Sequence, residues 1–487
     1  MEYIKKGAQC FFDGTPFKIL YLLLTLLAYT SITAQTKGLT IFSLAVTAIG
    51  GVVLIYRVVC LKHFIRTPNL LFLGLFFVSF LISAVVNWKY GIMGNLKGAV
   101  WMAFQYGLLF ACDDTKEPGF YKREFHILSL IYLAYMAICA AVSLYFLCTG
   151  RGGAIEHGDT RIFYGLWWQR LWGAFSEPNY AAVAMVTAIL LAFYFFKICK
   201  QIWLKIGCWV LIALYASYVL FSDSRTGKVC LAVGVAVLTY LLLINPTKRD
   251  RKKALTHVVA IVLALVVAAG SYFGVYYVKK GYNYIRENIQ TSQTENPGDS
   301  LNLVIGREQD LENDVSNGRF SLWKSGVDIF CTSPVFGVGA RNLTAAADDK
   351  APDTYLVNNP NGGKFDSTHN MLLDVFAAQG AVGFVLIVLA MALIIVSVIR
   401  LLSRNLKENY TAVATMVAVV ICIGASGMFL PNVIYVNTQS TFLFWLFLGY
   451  LMYYYSKTRD KARHTRVSTQ EQQEEQEVSR PEIHENI

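Results

Sequence analysis

Charged side chains are scarce in this chain. Only 15% of its 487 residues are Asp, Glu, Lys or Arg, whereas 55% are hydrophobic. Soluble globular proteins have about a quarter charged residues, so this composition excludes an ordinary soluble domain. A polytopic membrane protein accommodates such a composition, because most of its surface faces lipid instead of water.

Other absences narrow the function. The ten cysteines lack the spacing of a metal site or a disulfide framework. The net charge of +11 does not indicate nucleic acid, because Lys and Arg cluster between apolar runs, as in membrane proteins. The sequence also lacks a complete nucleotide-binding loop, since "GVGARN" at 337–342 is missing the last glycine of a dinucleotide fingerprint.

Twelve apolar runs have about the length of a membrane-spanning helix. We therefore predict an all-α fold, a polytopic membrane helical bundle of about twelve transmembrane helices. The first run is interpreted as an uncleaved span, with a signal peptide cleaved near Ala34 as the alternative. The predicted spans are 17–34, 39–61, 69–87, 95–112, 127–148, 179–197, 203–222, 227–245, 255–278, 380–399, 411–430 and 438–456.

The distribution of basic residues predicts the orientation. If the N-terminus is cytoplasmic, the inner connections hold most of the Lys and Arg residues, as the positive-inside rule requires. Both termini are then cytoplasmic, and 279–368 is a large extracytoplasmic loop between spans nine and ten. The chain divides into spans one to nine (1–278), this loop, spans ten to twelve (369–456) and a polar tail (457–487) expected to be disordered.

The large loop has two parts. Its 284–316 portion is polar and shows no apolar period. The following stretch, "GRFSLWKSGVDIFCTSP", predicts a short amphipathic helix between Gly318 and Ser333-Pro334, which packs on the bundle or lies at the lipid surface. Its expected apolar face comprises Phe320, Trp323, Val327 and Phe330.

An outward-facing synthetic enzyme has no supply of ATP or nucleotide sugars, so its donor must carry its own leaving group. A lipid-linked diphosphate sugar meets this requirement. Arginine binds phosphate oxygens bidentately and stays charged. Arg225, in "FSDSRTGK", and Arg319, at the start of the amphipathic helix, are candidates for this role. The alternatives are a snorkelling Arg225 paired with Asp223 and an Arg319 on a solvated helix face.

His369 lies in "DSTHNMLLDVFAAQG", just before the tenth span. An imidazole with an ordinary pKa near 6.5 can take a proton from a sugar hydroxyl at neutral pH. If a helix begins near Asn370, a tilt or a break at Gly380 would bring His369 down to the headgroup level. The alternative is an interfacial histidine that caps a helix, and Asp366 is a possible partner of the ring.

A third candidate segment is "QRLWGAFSEPNYAA" at 169–182. Arg170, Glu177 and Asn179 are candidates for contact with the acceptor or the diphosphate. The alternative is purely structural, because Pro178 is typical of the first turn of a helix and its neighbours would then be capping residues.

Four stretches in this order resemble the O-antigen ligase and O-antigen polymerase family of bacterial membrane glycosyltransferases. They are "RLWGAFSEPNYAA", "SDSRTGK", "GRFSLWKSGVDIFCTSPVFGVGARN" and "STHNMLLDVFAAQGAVG". The resemblance covers roughly 165–455. The 284–316 portion departs from the family pattern, which leaves the acceptor open.

The resemblance implies a polyprenyl-diphosphate-linked glycan donor, a glycan or lipid-anchored acceptor, and inverting transfer without a metal or another cofactor. By matching position, Arg225 and Arg319 would contact the diphosphate and His369 would activate the acceptor hydroxyl. The expected location is the bacterial cytoplasmic membrane, with chemistry on its outer face. Ligase and polymerase differ in their acceptor, and we lean towards polymerisation because nothing indicates a lipopolysaccharide core.

Three rivals are weighed against this interpretation. A transporter or flippase of lipid-linked oligosaccharide would show ionisable residues inside its spans and related halves, which the sequence lacks. A metal-dependent enzyme that uses a polyprenyl-phosphate donor would need acids in its first outer loop, which is the short "AQTKG". A non-catalytic membrane scaffold is the third.

Overall fold

The fold was analysed in a computed structural model, which describes residues 11–157, 160–245, 254–293, 305–306, 318–360, 362–404, 406 and 409–478. Most of the chain is helical, so the predicted helical architecture is confirmed. Most of the 284–316 portion of the large loop lies outside the described residues.

Every predicted span overlaps a helix. The α-helices in chain order are α1 (Thr15–Ala28), α2 (Lys37–Val59), α3 (Leu61–Phe64), α4 (Leu70–Val86), α5 (Ile92–Phe104), α6 (Pro118–Thr149), α7 (Pro178–Ile198), α8 (Ile202–Phe221), α9 (Arg225–Leu243), α10 (Ala254–Gln293), α11 (Arg319–Thr332), α12 (Leu343–Lys350), α13 (Met371–Leu402), α14 (Tyr410–Ser426) and α15 (Gln439–Val478). A 3₁₀ turn, Trp88–Tyr90, precedes α5, and a π-helical segment, Gln105–Phe110, extends it.

Within the described residues, seven helices are long and apolar enough to cross a membrane: α2, α6, α7, α8, α9, α10 and α13. The chain is therefore a multi-pass membrane protein, but the predicted count of twelve is not confirmed. Helices α1, α4 and α14 are apolar but shorter. The 14 residues of α1 would span about 21 Å, less than a hydrocarbon core of about 30 Å.

The centre of the bundle is α7. In the most apolar 18-residue stretch of α7, 72% of the residues are buried, whereas the same share is 11% in α10. Helix α7 contacts α8, α9 and α14, and its small side chains in "AAVAMVTA" allow close approach. Helix α10 consequently lies at the periphery, with its exposed Val and Leu side chains facing lipid.

A buried ion pair joins three helices at the end of the bundle opposite His369. Lys18 Nζ lies 2.7 Å from Glu124 Oε2, and both side chains are about 1% exposed. Tyr450 Oη donates to the same oxygen at 2.6 Å. Helices α1, α6 and α15 are thereby tied together, because breaking a buried pair leaves an uncompensated charge.

The all-α prediction is wrong for the segment between α6 and α7. Three antiparallel strands, β1 (Gly152–His157), β2 (Thr160–Trp167) and β3 (Arg170–Gly173), form a sheet in the order β1-β2-β3. The aromatic and β-branched residues of "TRIFYGLW" favour a strand. The buried strand β3 lies against α6 and α8, so it holds Arg170 on the bundle.

The prediction that the tail 457–487 is disordered is also corrected in part. Helix α15 continues through residues 457–478, and only 479–487 lie outside the described residues. The tail is rich in Glu and Gln, which favour helix when a helix already precedes them. Composition alone therefore underestimates the regular structure there.

The predicted amphipathic helix is confirmed as α11, which begins after Gly318 and ends at Ser333. Its buried face is different from the predicted one, because Phe320 and Val327 are exposed. The residues that pack inward include Ser325 and Gly326, whose small side chains allow close contact with the chain before α13. The buried residues are Leu322, Ser325, Gly326 and Ile329.

Helix α13 is broken at Gly380, where φ is +63° and ψ is −162°. The break frees backbone groups, and the segment 334–339, which begins with a turn, pairs with them. Ala381 N donates to Pro334 O at 2.8 Å, and Gly339 N donates to Ala378 O at 2.9 Å. The "GVG" stretch is therefore a structural segment that docks the end of the large loop onto α13.

Gly380→Ala should destabilise the protein by about 2–3 kcal/mol. A Cβ at this position would lie 2.5 Å from the Val335 backbone, and the φ value disfavours any L side chain. Thermal unfolding in detergent should fall by several degrees. Gly74→Ala is the matched control, since a Cβ there meets nothing within 4 Å; equal melting temperatures for the two variants would contradict the assignment.

Candidate active site

The His369 turn is held by a buried carboxylate. Thr368 N donates to Asp374 Oδ1 at 2.7 Å, and Ser367 Oγ donates to Asp374 Oδ2 at 2.8 Å. Ser367 Oγ in turn accepts the backbone N–H of His369 at 2.9 Å. His369 has a φ of +56°, a left-handed conformation that non-glycine residues rarely adopt. The Asp374 contacts compensate for this strain and fix the direction of the imidazole.

The first helical turn of α13 also holds the His369 turn. Asn370 is the N-cap, and its Oδ1 accepts the N–H groups of Leu372 and Leu373 at 3.0 and 3.3 Å. Met371 N donates to Gly427 O at 2.8 Å, which ties this turn to the loop after α14. The helix starts after Asn370 as expected, and of the two alternatives, a tilt or a break at Gly380, the structure shows the break. The cap is Asn370, so the alternative of a capping His369 is not supported.

The surroundings of His369 favour a neutral imidazole. Partial burial lowers the pKa of the ring below its usual value, and the positive charge of Arg319 lowers it further, with Asp366 opposing both. The ring of Phe365 lies edge-on at 6.0 Å. A neutral imidazole has a free lone pair at neutral pH, so His369 can accept a proton.

Arg319 is the first residue of α11, and its guanidinium lies 5.6 Å from the ring centroid of Phe429. The helix is docked on the His369 turn, because a Cβ at Gly326 would lie 2.8 Å from Thr368 Cγ2. Arg319 and His369 are therefore brought near each other at one end of the bundle, and a single pocket that also includes Arg225 stays a prediction.

Arg225 is the first residue of α9, and it follows a turn that is surrounded by other positively charged side chains. Ser224 Oγ caps the helix by accepting Gly227 N at 3.0 Å, and Arg225 is half-buried. Asp223 pairs with Lys228 at 3.1 Å and Lys279 at 3.0 Å. Burial raises the pKa of the Asp223 carboxyl, but the two ammonium groups outweigh this and hold it below its usual range.

Arg170, Asn179 and Glu177 form one network at the start of α7. Arg170 Nε donates to Ser222 O at 2.9 Å, and Arg170 Nη2 donates to Asn179 Oδ1 at 2.8 Å. Glu177 is the N-cap of α7, and its Oε1 accepts Asn179 N at 3.1 Å. These contacts support the structural interpretation, since the network locks the Arg225 turn against α7. Contact of the three with substrate stays a prediction.

Sequence reasoning missed Tyr180. Its hydroxyl donates to Pro431 O at 3.4 Å and lies within electrostatic range of the carboxylates of Glu177, Asp366 and Asp374. Tyr180 therefore connects the α7 network with the His369 turn and with the loop between α14 and α15. Its position two residues after Pro178 was the available signal, because it lies on the first turn of a predicted helix.

One possible metal-binding group occurs in the described part of the chain. His63, Asp113 and Asp114 have ligand atoms within 4.8 Å of one another. Arg66 also pairs with Asp114 at 3.0 Å, so part of the negative charge is already compensated. The group lies near the junction of the π-helical segment and α6, at the end of the bundle away from His369, and is not part of the candidate site.

Residues 210–388 match the family model described as O-antigen ligase. Over this segment the chain is similar to the O-antigen ligase family. The resemblance predicted from the motifs is thereby confirmed over this segment, which includes Arg225, Arg319 and His369. A comparison with curated proteins finds no match.

Within the matched segment, Asp374 is expected to be a positioning residue. Asp374→Asn replaces an acceptor oxygen with an amide donor that faces Ser367 Oγ or Thr368 N–H, so the turn should relax and the imidazole should lose its direction. We expect kcat to fall about tenfold or more with little change in the KM for donor. Steady-state transfer assays give both constants.

The exposed Asp366→Asn is the matched control, because Asp366 also lies near His369 but outside the network that holds the turn. Equal effects of the two substitutions would show that Asp374 acts only through its charge.

Proposed function

We propose that this protein is a membrane glycosyltransferase that transfers or polymerises a polyprenyl-diphosphate-linked oligosaccharide in cell-surface polysaccharide assembly. The observation that carries the proposal is His369 beside the guanidinium of Arg319, within the segment that matches the O-antigen ligase family. A base next to a fixed cation suits a reaction in which an alcohol attacks and an anion leaves.

The proposed reaction is a single displacement. The acceptor hydroxyl oxygen forms a bond to the anomeric carbon as the bond from that carbon to the diphosphate oxygen breaks. His369 takes the hydroxyl proton, and the diphosphate departs with the bonding electron pair. Arg319 and Arg225 stabilise the negative charge that accumulates on the leaving group. Displacement from the opposite face inverts the anomeric configuration.

No metal or other cofactor is required in this scheme. A diphosphate leaving group needs positive charge, and two guanidinium groups supply it at every physiological pH. Lys228 and Lys279 add positive potential behind Arg225, although Asp223 balances part of it. Transfer should therefore persist in the presence of a chelator.

The proposed orientation places this chemistry on the outer face of the bacterial cytoplasmic membrane, with both termini in the cytoplasm. The positive-inside distribution of Lys and Arg supports it. Exposed apolar side chains on α10 and α13 provide a surface along which a prenyl chain can lie while its diphosphate stays at the headgroup level.

His369→Gln should abolish transfer from a lipid-diphosphate donor while the protein remains folded and inserted. The loss of a general base is typically worth about 10²–10⁴ in rate. Arg225→Gln and Arg319→Gln should have comparable effects through the leaving group. Formation of glycan product by purified protein from a defined lipid-linked repeat unit is the measurement.

Arg151→Gln is a control for these substitutions, because it removes an exposed cation near β1 that is outside the proposed chemistry. Full turnover by His369→Gln would exclude the general-base role, and a strict Mg²⁺ requirement would show that the arginines do not suffice.

The pH dependence provides a separate test of the Arg319–His369 pair. A general base must be deprotonated, and the pKa of His369 is lowered, so activity should persist below pH 6.5 and fall only under more acidic conditions. Arg319→Gln removes a neighbouring positive charge and should raise that pKa. The acidic limb of the kcat/KM profile should therefore move to higher pH in this variant, and an unmoved limb would contradict the proximity of the two groups.

A further inference from the structure

A second cavity, of about 260 Å³, opens at the same end of the bundle as His369. One face of α5 and its π-helical extension forms one wall, with residues that recur every three or four positions. This wall comprises Gly94, Lys97, Gly98, Trp101, Met102 and Gln105. Arg341 and residues 435–437 form the other wall. The lack of a side chain at Gly94 lets Arg341 approach closely, because a Cβ there would lie 3.2 Å from Arg341 Cβ.

The cavity holds two cations and no carboxylate among its lining residues. Lys97 is exposed, and no described residue accepts a hydrogen bond from its ammonium group. Arg341 Nη2 donates to Tyr435 O at 2.7 Å. The remaining N–H groups of the Arg341 guanidinium donate to no described residue. Two cations that share a cavity without an acidic partner attract an anionic ligand.

The other polar groups also favour a ligand. Asn437 Oδ1 is buried and has no hydrogen-bond partner among the described residues, which is costly unless something donates to it. Gln105 donates to Val436 O at 2.9 Å and so fixes the floor of the cavity. The half-buried Trp101 offers an aromatic surface of the kind that packs on sugar rings.

The rim of the cavity is apolar on the side of α5. Ile92, Met93 and Leu96 are 41%, 65% and 54% exposed, next to Lys97. A cation beside exposed apolar side chains is typical of the boundary between hydrocarbon and headgroups. The ligand is therefore expected to arrive along the membrane.

One loop separates this cavity from the His369 site. In residues 427–438, Gly427 O accepts from Met371 N beside His369, whereas Tyr435 O accepts from Arg341 in the second cavity. Tyr435 Oη also accepts from Gln379 Nε2 at 2.5 Å, on the same half of α13 that carries the His369 turn. The loop is thus a wall shared by the two sites.

We propose that the second cavity binds the diphosphate of a second lipid-linked glycan, which serves as the acceptor. This inference rests on the proposed function and extends it, because an acceptor on the same kind of carrier makes the reaction a polymerisation. Lys97 and Arg341 hold the acceptor diphosphate, and Trp101 and Asn437 contact its first sugar. The donor diphosphate occupies Arg225 and Arg319 on the other side of the loop.

The test uses the purified full-length protein in lipid nanodiscs and sugar-free polyprenyl diphosphate as the probe. Native mass spectrometry and equilibrium binding give the number of bound molecules and their affinities. Two equivalents should bind to the unaltered protein. Lys97→Gln combined with Arg341→Gln should weaken one equivalent at least about tenfold, and Arg225→Gln combined with Arg319→Gln should weaken the other.

Two further variants separate binding from folding. Lys97→Gln alone removes an exposed side chain without a described hydrogen bond, so its effect on affinity is not a folding effect. Arg341→Lys keeps the positive charge and should retain most of the binding. Lys89→Gln is the matched control, since it removes a cation nearby that pairs with Asp349 at 3.1 Å outside the cavity.

The competitors distinguish a phosphate ligand from an acidic sugar. Displacement of the second equivalent by inorganic diphosphate, but not by glucuronate, supports the proposal. Displacement by glucuronate alone overturns the assignment of a diphosphate. A single equivalent that only the Arg225 and Arg319 substitutions weaken also overturns it and leaves the proposed function intact, whereas no binding at either site would contradict both.

Discussion

The break of α13 at Gly380 is the constraint on which the arrangement of the site depends. A broken helix leaves backbone N–H and C=O groups without partners, and near a membrane such groups are costly unless protein replaces the lost hydrogen bonds. Residues 334–339 satisfy them. The end of the large loop is thereby fixed to the tenth predicted span, and α11 is brought with it. The interruption of α13 therefore helps to hold Arg319 near His369.

The same arrangement explains how a strained histidine is maintained. Asp374 lies on the first turn of α13, below the turn that it holds, and its two oxygens accept three hydrogen bonds from Ser367 and Thr368. The carboxylate is buried, so no water competes for these contacts. A base held in one direction before the substrate arrives loses no reorganisation energy during the reaction.

The parts that the sequence predicted correctly have local signals. Pro178 marks a helix start, Asn370 is a strong N-cap residue, and Gly318 precedes an amphipathic period. The buried face of α11 was not predicted, because Gly326 and Ser325 face inward for close packing and no hydrophobicity pattern marks them. The sheet between α6 and α7 was missed because its strands are only four to eight residues long. One of them also lies next to a predicted helix start.

The contacts that make the site are not local, and a single sequence does not contain them. Arg170 reaches Ser222, and Arg341 reaches Tyr435, 94 positions away. The Asp374 contacts are shorter in range, since Ser367 and Thr368 lie seven and six positions before it. The polar residues of the second cavity come from α5, from the large loop and from the loop before α15, and only the fold joins them.

The loop at 427–438 provides the physical link between the His369 site and the second cavity. It is anchored at its start and in its middle: Met371 holds Gly427, Tyr180 holds Pro431, and Trp445 Nε1 donates to Val433 O at 3.2 Å. A wall fixed in this way keeps two anionic ligands apart, and their mutual repulsion would otherwise oppose simultaneous binding. In the proposed arrangement each ligand faces its own pair of cations, so that the hydroxyl of one glycan can approach the anomeric carbon of the other over the rim of the loop. A ligase that used an uncharged acceptor would have no need of the second pair of cations, and for this reason Lys97 and Arg341 favour polymerisation.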